Sequence, residues 1–185
     1  MGRTPRKITV LIDSREQYPL FFPETIEWYR TRSGKPQTIF LRTKLIRLPA
    51  GDYQLDGYDD AIVERKGCLR ELRDNLLSDD YRRAKGAFVK LVEATDHPYL
   101  LIDETLGGVM TPTEHVAEPR MVIDALLDLA GAMGIRLLLV GGCKAAGARR
   151  MLGEFVVRLL LSHALRHKAE PVDLKAIIEE NLNGM

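Results

Sequence analysis

Two rhythms of apolar and polar positions run along the chain. Lys7 to Asp13 (KITVLID) and Pro98 to Asp103 (PYLLID) are short apolar runs bounded by polar residues, and they predict buried strands. Helical spacing predicts Leu69 to Leu77, with Leu69, Leu72 and Leu76 on one face, and Tyr81 to Thr95, with Ala84, Phe88, Leu91 and Val92. Arg120 to Met133 reads as a helix stopped by Gly134, followed by a strand over Ile135 to Val140. Lys144 to Arg166 reads as a long helix and Asp173 to Leu182 as a short terminal one.

The intervening segments are expected as follows. Ser14 to Phe22 is a loop, and Glu24 to Arg32 a short helix with Pro23 at its entrance. Thr38 to Arg42 and Lys44 to Leu48 are two strand-like pieces before the turn Pro49-Ala50-Gly51. Asp52 to Leu55 and Asp60 to Arg65 form a hairpin, and a Gly- and Pro-containing loop runs from the PYLLID strand to about Pro119. The architecture this predicts is α/β, a mixed sheet with early antiparallel strands and later strands joined through helices.

Composition narrows the class. With 185 residues, 45% apolar and 29% charged, the chain fits one ordinary domain with a small appendage, expected at 1–168 and 169–185. No apolar run approaches 18 residues, so no helical membrane span is expected. The run Ile8 to Ile12 ends at Asp13, too short for a secretory leader. Cys68 and Cys143 cannot build a disulfide framework, and a cytoplasmic setting is the expectation. Net charge is only +1, but residues 1–50 carry ten Lys or Arg against four Asp or Glu, and residues 51–118 carry eight against fifteen. That unevenness fits a phosphate-contacting rim beside a cation-binding centre, but charge alone favours a mixed solvated surface.

The chemistry concentrates in three motifs: Asp13-Ser14-Arg15-Glu16 at a strand end, Gly51-Asp52 opening the hairpin, and Glu64-Arg65-Lys66 closing it. Carboxylates hold a hard cation such as Mg²⁺ through oxygen, and the cation neutralises charge developing on phosphoryl oxygens while activating water. A neighbouring lysine orients that water or binds the phosphate. Alternation along a strand puts Glu64 and Lys66 on one face and Val63 and Arg65 on the other. A regular two-residue turn at Asp56-Gly57 would set Asp52 opposite Ala61 and aim Glu64 at the wrong face. A shared cation needs Asp52 opposite or nearly opposite Glu64, so a wider loop is expected.

Ile12-Asp13-Ser14-Arg15-Glu16, Gly51-Asp52-Tyr53 and Val63-Glu64-Arg65-Lys66 together resemble the XPF-type nuclease domain, a structure-specific branch of the restriction-endonuclease-like PD-(D/E)xK superfamily. The resemblance continues through Tyr99 to Asp103 and the helix leading into Gly134 to Leu137, covering about Lys7 to His167. It implies a restriction-endonuclease-like mixed central sheet flanked by helices. It also implies a divalent-metal-dependent DNA endonuclease acting at branches or flaps in repair, recombination or phage DNA processing. In that reading Mg²⁺ or Mn²⁺ sits on Asp52 and Glu64, with Asp13 in or next to the shell and the backbone carbonyl of Arg65 contributing. Lys66 is the catalytic lysine, and Arg15, Glu16 and Arg65 support the site or face phosphate. The same resemblance implies DNA as partner and a homodimer through residues 136–166.

Two departures stand out. Arg70 occupies a position where the family often carries Asp, with Glu71 and Asp74 as the nearby acids. The residues after His167 are too few for a tandem helix-hairpin-helix module, so substrate selection is expected from this domain or from a partner chain. Taken alone, Asp52 and Glu64 also fit a charged hairpin rim with Lys66 as its ion pair. The alternative function is a catalytically silent DNA-binding or dimerisation scaffold; retention of the whole acidic set counts against it. Arg82, Arg83, Lys85 and Lys90 fit contact with a phosphate backbone, and also the solvated side of a helix. His163 and His167 lack a third ligand and point to a surface or interface role, and His97 and His115 read as loop histidines. Gly141 to Gly147 lacks the Gly-Lys-Ser/Thr order of a phosphate loop and reads as a strand-to-helix turn.

Overall fold

A computed structural model describes residues 7–29, 36–78, 81–142 and 145–164. Its strands are β1 (Lys7–Asp13), β2 (Thr25–Trp28), β3 (Gln37–Ile46), β4 (Tyr53–Leu55), β5 (Tyr58–Lys66), β6 (His97–Ile102) and β7 (Arg136–Leu139). Its helices are α1 (Leu69–Leu77), α2 (Tyr81–Ala94), α3 (Leu106–Met110), α4 (Pro119–Met133) and α5 (Ala146–Ala164). The expected helix at Asp173 to Leu182 and the tail 169–185 lie outside the described residues.

The strands form one sheet in the order β2-β3-β1-β4-β5-β6-β7. β5, β6 and β7 run parallel and are joined through helices, as expected for βαβ connections. The early strands are not uniformly antiparallel: β2–β3, β1–β4 and β4–β5 are, but β1 and β3 pair parallel. The long connection carrying β2 allows this, because it returns the chain to the starting edge before β3 begins.

Period-2 alternation sorts the core into two layers. Val10, Ile12, Tyr53, Val63, Tyr99 and Leu101 face α5, whose Leu152, Val156, Val157, Leu160 and Leu161 cover them. Leu100 and Ile102 face the other way, against α1, α2 and α4 through Leu72, Phe88, Val122 and Leu126. The apolar ring of α5 therefore spends its widest stripe on the sheet, leaving Met151 71% and Phe155 44% exposed. Gly153 lets α5 approach the Ser14–Phe22 loop, because a Cβ there would overlap the backbone of Phe21. Gly153→Ala is expected to destabilise the fold by about 2 kcal/mol, read as an earlier urea midpoint.

Several local expectations are corrected. The segment expected as a helix, Glu24 to Arg32, instead carries β2, because Thr25, Ile26 and Trp28 suit a pleated strand that buries Ile26 and pairs with β3. The pieces Thr38 to Arg42 and Lys44 to Leu48 are one strand, β3, since pairing with β1 runs unbroken from Lys7↔Phe40 to Asp13↔Ile46. Its exposed Arg42 and Lys44 mark the stretch beyond β2 as a charged edge. The loop before Pro119 contains the short helix α3, capped by the Thr105 side chain accepting from Gly108 N–H. His97 opens β6 rather than a loop, and its ring lies 4.2 Å from that of His163, which is hydrogen-bonded to the Tyr99 hydroxyl.

Candidate active site

The hairpin that carries the acids resolves its register problem in an unexpected way. The turn is tight, with Leu55 opposite Tyr58 and Gly57 at φ +79, so the wider loop is not formed. The ladder then shifts, and Tyr53 pairs with Val63. β5 advances five residues while β4 advances two, an irregularity that absorbs the excess and still brings Asp52 beside Glu64. Gly51 seals the arrangement: at φ +67 its Cα sits against Ile62 and the Val63 carbonyl, where a Cβ would collide. Asp52 N–H donates to the Val63 carbonyl at 2.8 Å, and Arg65 N–H donates to Asp52 Oδ2 at 2.7 Å.

The ends of three strands meet here. Asp13 N–H donates to the Asp52 carbonyl at 2.9 Å, locking β1 to the hairpin entrance. The Asp13 side chain is buried and accepts from Arg15 N–H, Arg15 Nε, Arg15 Nη2 and Leu48 N–H. The Arg15 guanidinium bonds, outweighing burial, hold that carboxyl below the usual Asp range. Four donors on two oxygens make Asp13 the clamp between the Arg15 loop and the Leu48 turn. Glu16 accepts from Tyr18 N–H and lies 3.6 Å from Arg65 Nη1.

Alternation on β5 divides its three chemical residues as expected. Lys66 Nζ reaches Glu64 Oε1 at 2.8 Å and Glu71 Oε1 at 3.2 Å, all on the α1 side. Burial pulls the Lys66 ammonium down, but Glu64 and Glu71 outweigh it and keep its pKa above the ordinary lysine value. Arg65 turns to the opposite face, where Nη2 donates to Asp103 Oδ2 at 2.6 Å and Nη1 to the Tyr18 carbonyl at 3.0 Å. The Lys66 carbonyl accepts from Asp103 N–H, so the adjacent Arg65 peptide groups face the Asp52 side. Of the two acids near Arg70, Glu71 joins the site, also accepting from Gly67 N–H, whereas Asp74 pairs with Arg70 and Arg73.

These residues line a cleft of about 1150 Å³. Its far wall is α2, which buries Ala84, Phe88 and Leu91 and presents Arg82, Arg83 and Lys90 to the cleft, with Gly86 and Ala87 adding little bulk between them. Acids at the floor and cations on the wall suit a phosphodiester beside a cation. Cys68 also lines the cleft, at the entrance to α1.

Asp52 shows the electrostatic cost of this floor. Burial and the Glu64 charge push its pKa up to about 8 despite the Arg65 N–H bond. The folded metal-free protein therefore keeps a proton up to about pH 8 that the unfolded chain releases near pH 4. Stability falls as pH rises through that window. Asp52→Asn removes the penalty and is expected to stabilise the metal-free protein at pH 9 by an amount on the order of 2 kcal/mol, about 5 °C in Tm. Thermal melts of both proteins in EDTA from pH 5 to 9 check it.

The structure superposes on XPF from Aeropyrum pernix with a TM-score of 0.53 and 20% identity, covering 82% of this chain and 60% of that one. It superposes on XPF from Aeropyrum pernix in complex with DNA with a TM-score of 0.54 and 20% identity, covering 91% of this chain and 70% of that one. The chain has the XPF-type nuclease fold. It spans about three fifths of the length of the first of those structures. No family model matches the sequence, and no curated protein matches it closely enough to count as a relative.

Within the XPF-type fold, Asp52, Glu64 and Lys66 gather at one end of the sheet, with Asp13, Arg15, Glu16 and Arg65 around them and Arg82 and Arg83 across the cleft. Sequence reasoning missed Asp103, which is 3% exposed and anchors Arg65. Its signal was the one that marked Asp13, an acid at the carboxyl end of a buried strand. Arg149 of α5, which the sequence offers only as a phosphate-facing or solvated arginine, donates to the Pro19 carbonyl and lies 4.3 Å over the Phe21 ring. Among the described residues no helix is long and apolar enough to cross a membrane.

Proposed function

We propose that the protein is a divalent-metal-dependent endonuclease that hydrolyses DNA phosphodiester bonds at branched or flapped DNA. The single observation that carries the reading is the meeting of Asp52, Glu64 and Lys66 on the floor of a cleft whose opposite wall is basic. The XPF-type fold and the DNA complex of the Aeropyrum pernix protein support it.

Among the described residues no three His, Cys, Asp or Glu side chains converge as a closed metal cage. Mg²⁺ does not need one: it is commonly held by one or two carboxylates, with waters and substrate phosphates completing the shell. Asp52 and Glu64 fit that demand, because they are half-buried neighbours and the Glu64 charge opposes ionisation of Asp52, a cost that a cation relieves. The Arg65 carbonyl, on the Asp52 side, is the third oxygen of the proposed set. Asp13, with both oxygens engaged, belongs next to the shell rather than in it.

When bound, Mg²⁺ or Mn²⁺ supplies charge neutralisation at the phosphoryl oxygens and a more acidic water. The chain's own residues do the rest. Lys66 holds an ammonium beside Glu64, where it binds the phosphate or orients the attacking water. Arg82, Arg83 and Lys90 receive the neighbouring phosphates, so binding weakens with salt. Within the segment 136–166 of the proposed dimer, Leu139, Met151 and Phe155 are the large apolar residues exposed among the described residues.

Incubation with fork, flap and linear duplex DNA, with Mg²⁺ or EDTA, tests the proposal. Cleavage of the branched substrates in Mg²⁺ alone is the expected result. Binding without cleavage of any substrate, in Mg²⁺ or Mn²⁺, would favour the scaffold reading.

A further inference from the structure

The loop Ser14–Phe22 is held more firmly than a surface loop needs to be. Tyr18 N–H donates to Glu16 Oε1 at 2.8 Å, and the Tyr18 carbonyl accepts from Arg65 Nη1 at 3.0 Å. Arg149 of α5 donates to the Pro19 carbonyl, and Leu20 N–H donates to the Tyr53 hydroxyl at 3.1 Å. Phe21 backbone rests on α5 at Gly153. Side chains from β4, β5 and α5 thus fix the backbone from the Tyr18 carbonyl to Leu20, and Glu16 of the loop itself holds the Tyr18 N–H.

That residue presents an aromatic ring to water. Tyr18 is 68% exposed, lines the cleft, and makes no hydrogen bond through its hydroxyl among the described residues. A single exposed aromatic is ordinary on a protein surface. This one is on a clamped backbone, and the clamp is Arg65, whose own N–H holds Asp52. The hydroxyl can donate one hydrogen bond to a phosphate, but the ring offers faces that suit a nucleobase, and Tyr18→Phe separates the two. Stacking on an aromatic side chain is available only to a base outside the duplex, whose faces are free.

We propose that Tyr18 is a stacking platform that takes one unpaired base of DNA beside the cleft and so selects substrates with a single-stranded nucleotide next to the phosphate held on the floor. The assignment rests on the nuclease reading and adds to it a specificity-determining residue and the chemistry it recognises. Cation contacts on α2 bind any phosphate backbone; Tyr18 adds the discrimination between paired and unpaired.

The test is fluorescence anisotropy in EDTA, so that nothing is cut, with a duplex bearing a single-stranded overhang and with a blunt duplex of equal length. Tyr18→Ala is expected to bind the overhang about tenfold more weakly, with blunt-duplex affinity within about twofold of wild type. Tyr18→Phe and Tyr18→Trp should keep wild-type affinity for both, since they keep a stacking face. Quenching of 2-aminopurine placed in the overhang should disappear in Tyr18→Ala and persist in Tyr18→Trp. Equal affinity of wild type and Tyr18→Ala for the overhang, or equal weakening for both DNAs, would overturn the stacking role while leaving the nuclease reading intact. A wild-type protein that binds neither DNA would remove the nuclease reading and the stacking role together.

Discussion

Asp52→Asn and Glu64→Gln should each lower DNA cleavage by about 10³-fold or more while leaving DNA affinity within about twofold of wild type. Both substitutions keep shape. The amide oxygen introduced by Asp52→Asn would still accept from Arg65 N–H, the bond that positions the residue at 2.7 Å. What is lost is one negative charge from a two-carboxylate set. Cation catalysis of phosphoryl chemistry is worth several kcal/mol, and every 1.36 kcal/mol is a factor of ten in rate. DNA affinity rests instead on the cations across the cleft, Arg82, Arg83 and Lys90. Single-turnover cleavage and anisotropy on the same preparations separate the two effects. Asp52→Asn should also melt higher than wild type in EDTA at pH 9, so lost cleavage cannot be ascribed to unfolding. Near-normal cleavage by both variants would remove these residues from the chemistry.

Lys66→Ala is the second large effect, expected at about 10²- to 10³-fold in the rate at saturating Mg²⁺. The ammonium lies 2.8 Å from Glu64 and 3.2 Å from Glu71, on the side of the floor facing α1. Its removal takes a positive charge from beside the acids, so the Mg²⁺ concentration giving half the maximal rate should stay the same or fall. Lys66→Arg should rescue only in part, because a planar guanidinium cannot occupy the point position of an ammonium between two carboxylates. A variant with a normal rate at high Mg²⁺ and a raised Mg²⁺ requirement would make Lys66 a positioning residue for the acids instead.

Legibility in the sequence follows how local the deciding physics is. β1 and β6 are buried on both faces, so KITVLID and PYLLID are near-continuous apolar runs that need no partner to be recognised. Gly134 ends α4 where expected, in the left-handed cap its lack of a side chain allows. β2 escapes a reading from sequence because four residues, Thr25-Ile26-Glu27-Trp28, carry too short a period, and their pairing with β3 decides the matter.

The site divides in the same manner. The alternation placing Glu64 with Lys66 and turning Arg65 away is readable from β5 alone. The shift in register that carries Asp52 to Glu64 is not, because the extra residues of an irregular ladder leave no periodic trace. Asp103 meets Arg65 across 38 positions and Arg149 meets Pro19 across 130, distances that only the folded sheet closes. The clamped Tyr18 loop emerges from these long contacts.

The central claim is that Asp52 and Glu64 hold one divalent cation together. Titration of Mn²⁺ into the protein without DNA, followed by the loss of free Mn²⁺ signal in electron paramagnetic resonance, addresses it most directly. Saturable binding is expected for the wild type, lost in the variant carrying both Asp52→Asn and Glu64→Gln and kept in Lys66→Ala. Mn²⁺ binding by the double variant equal to that of the wild type would contradict it.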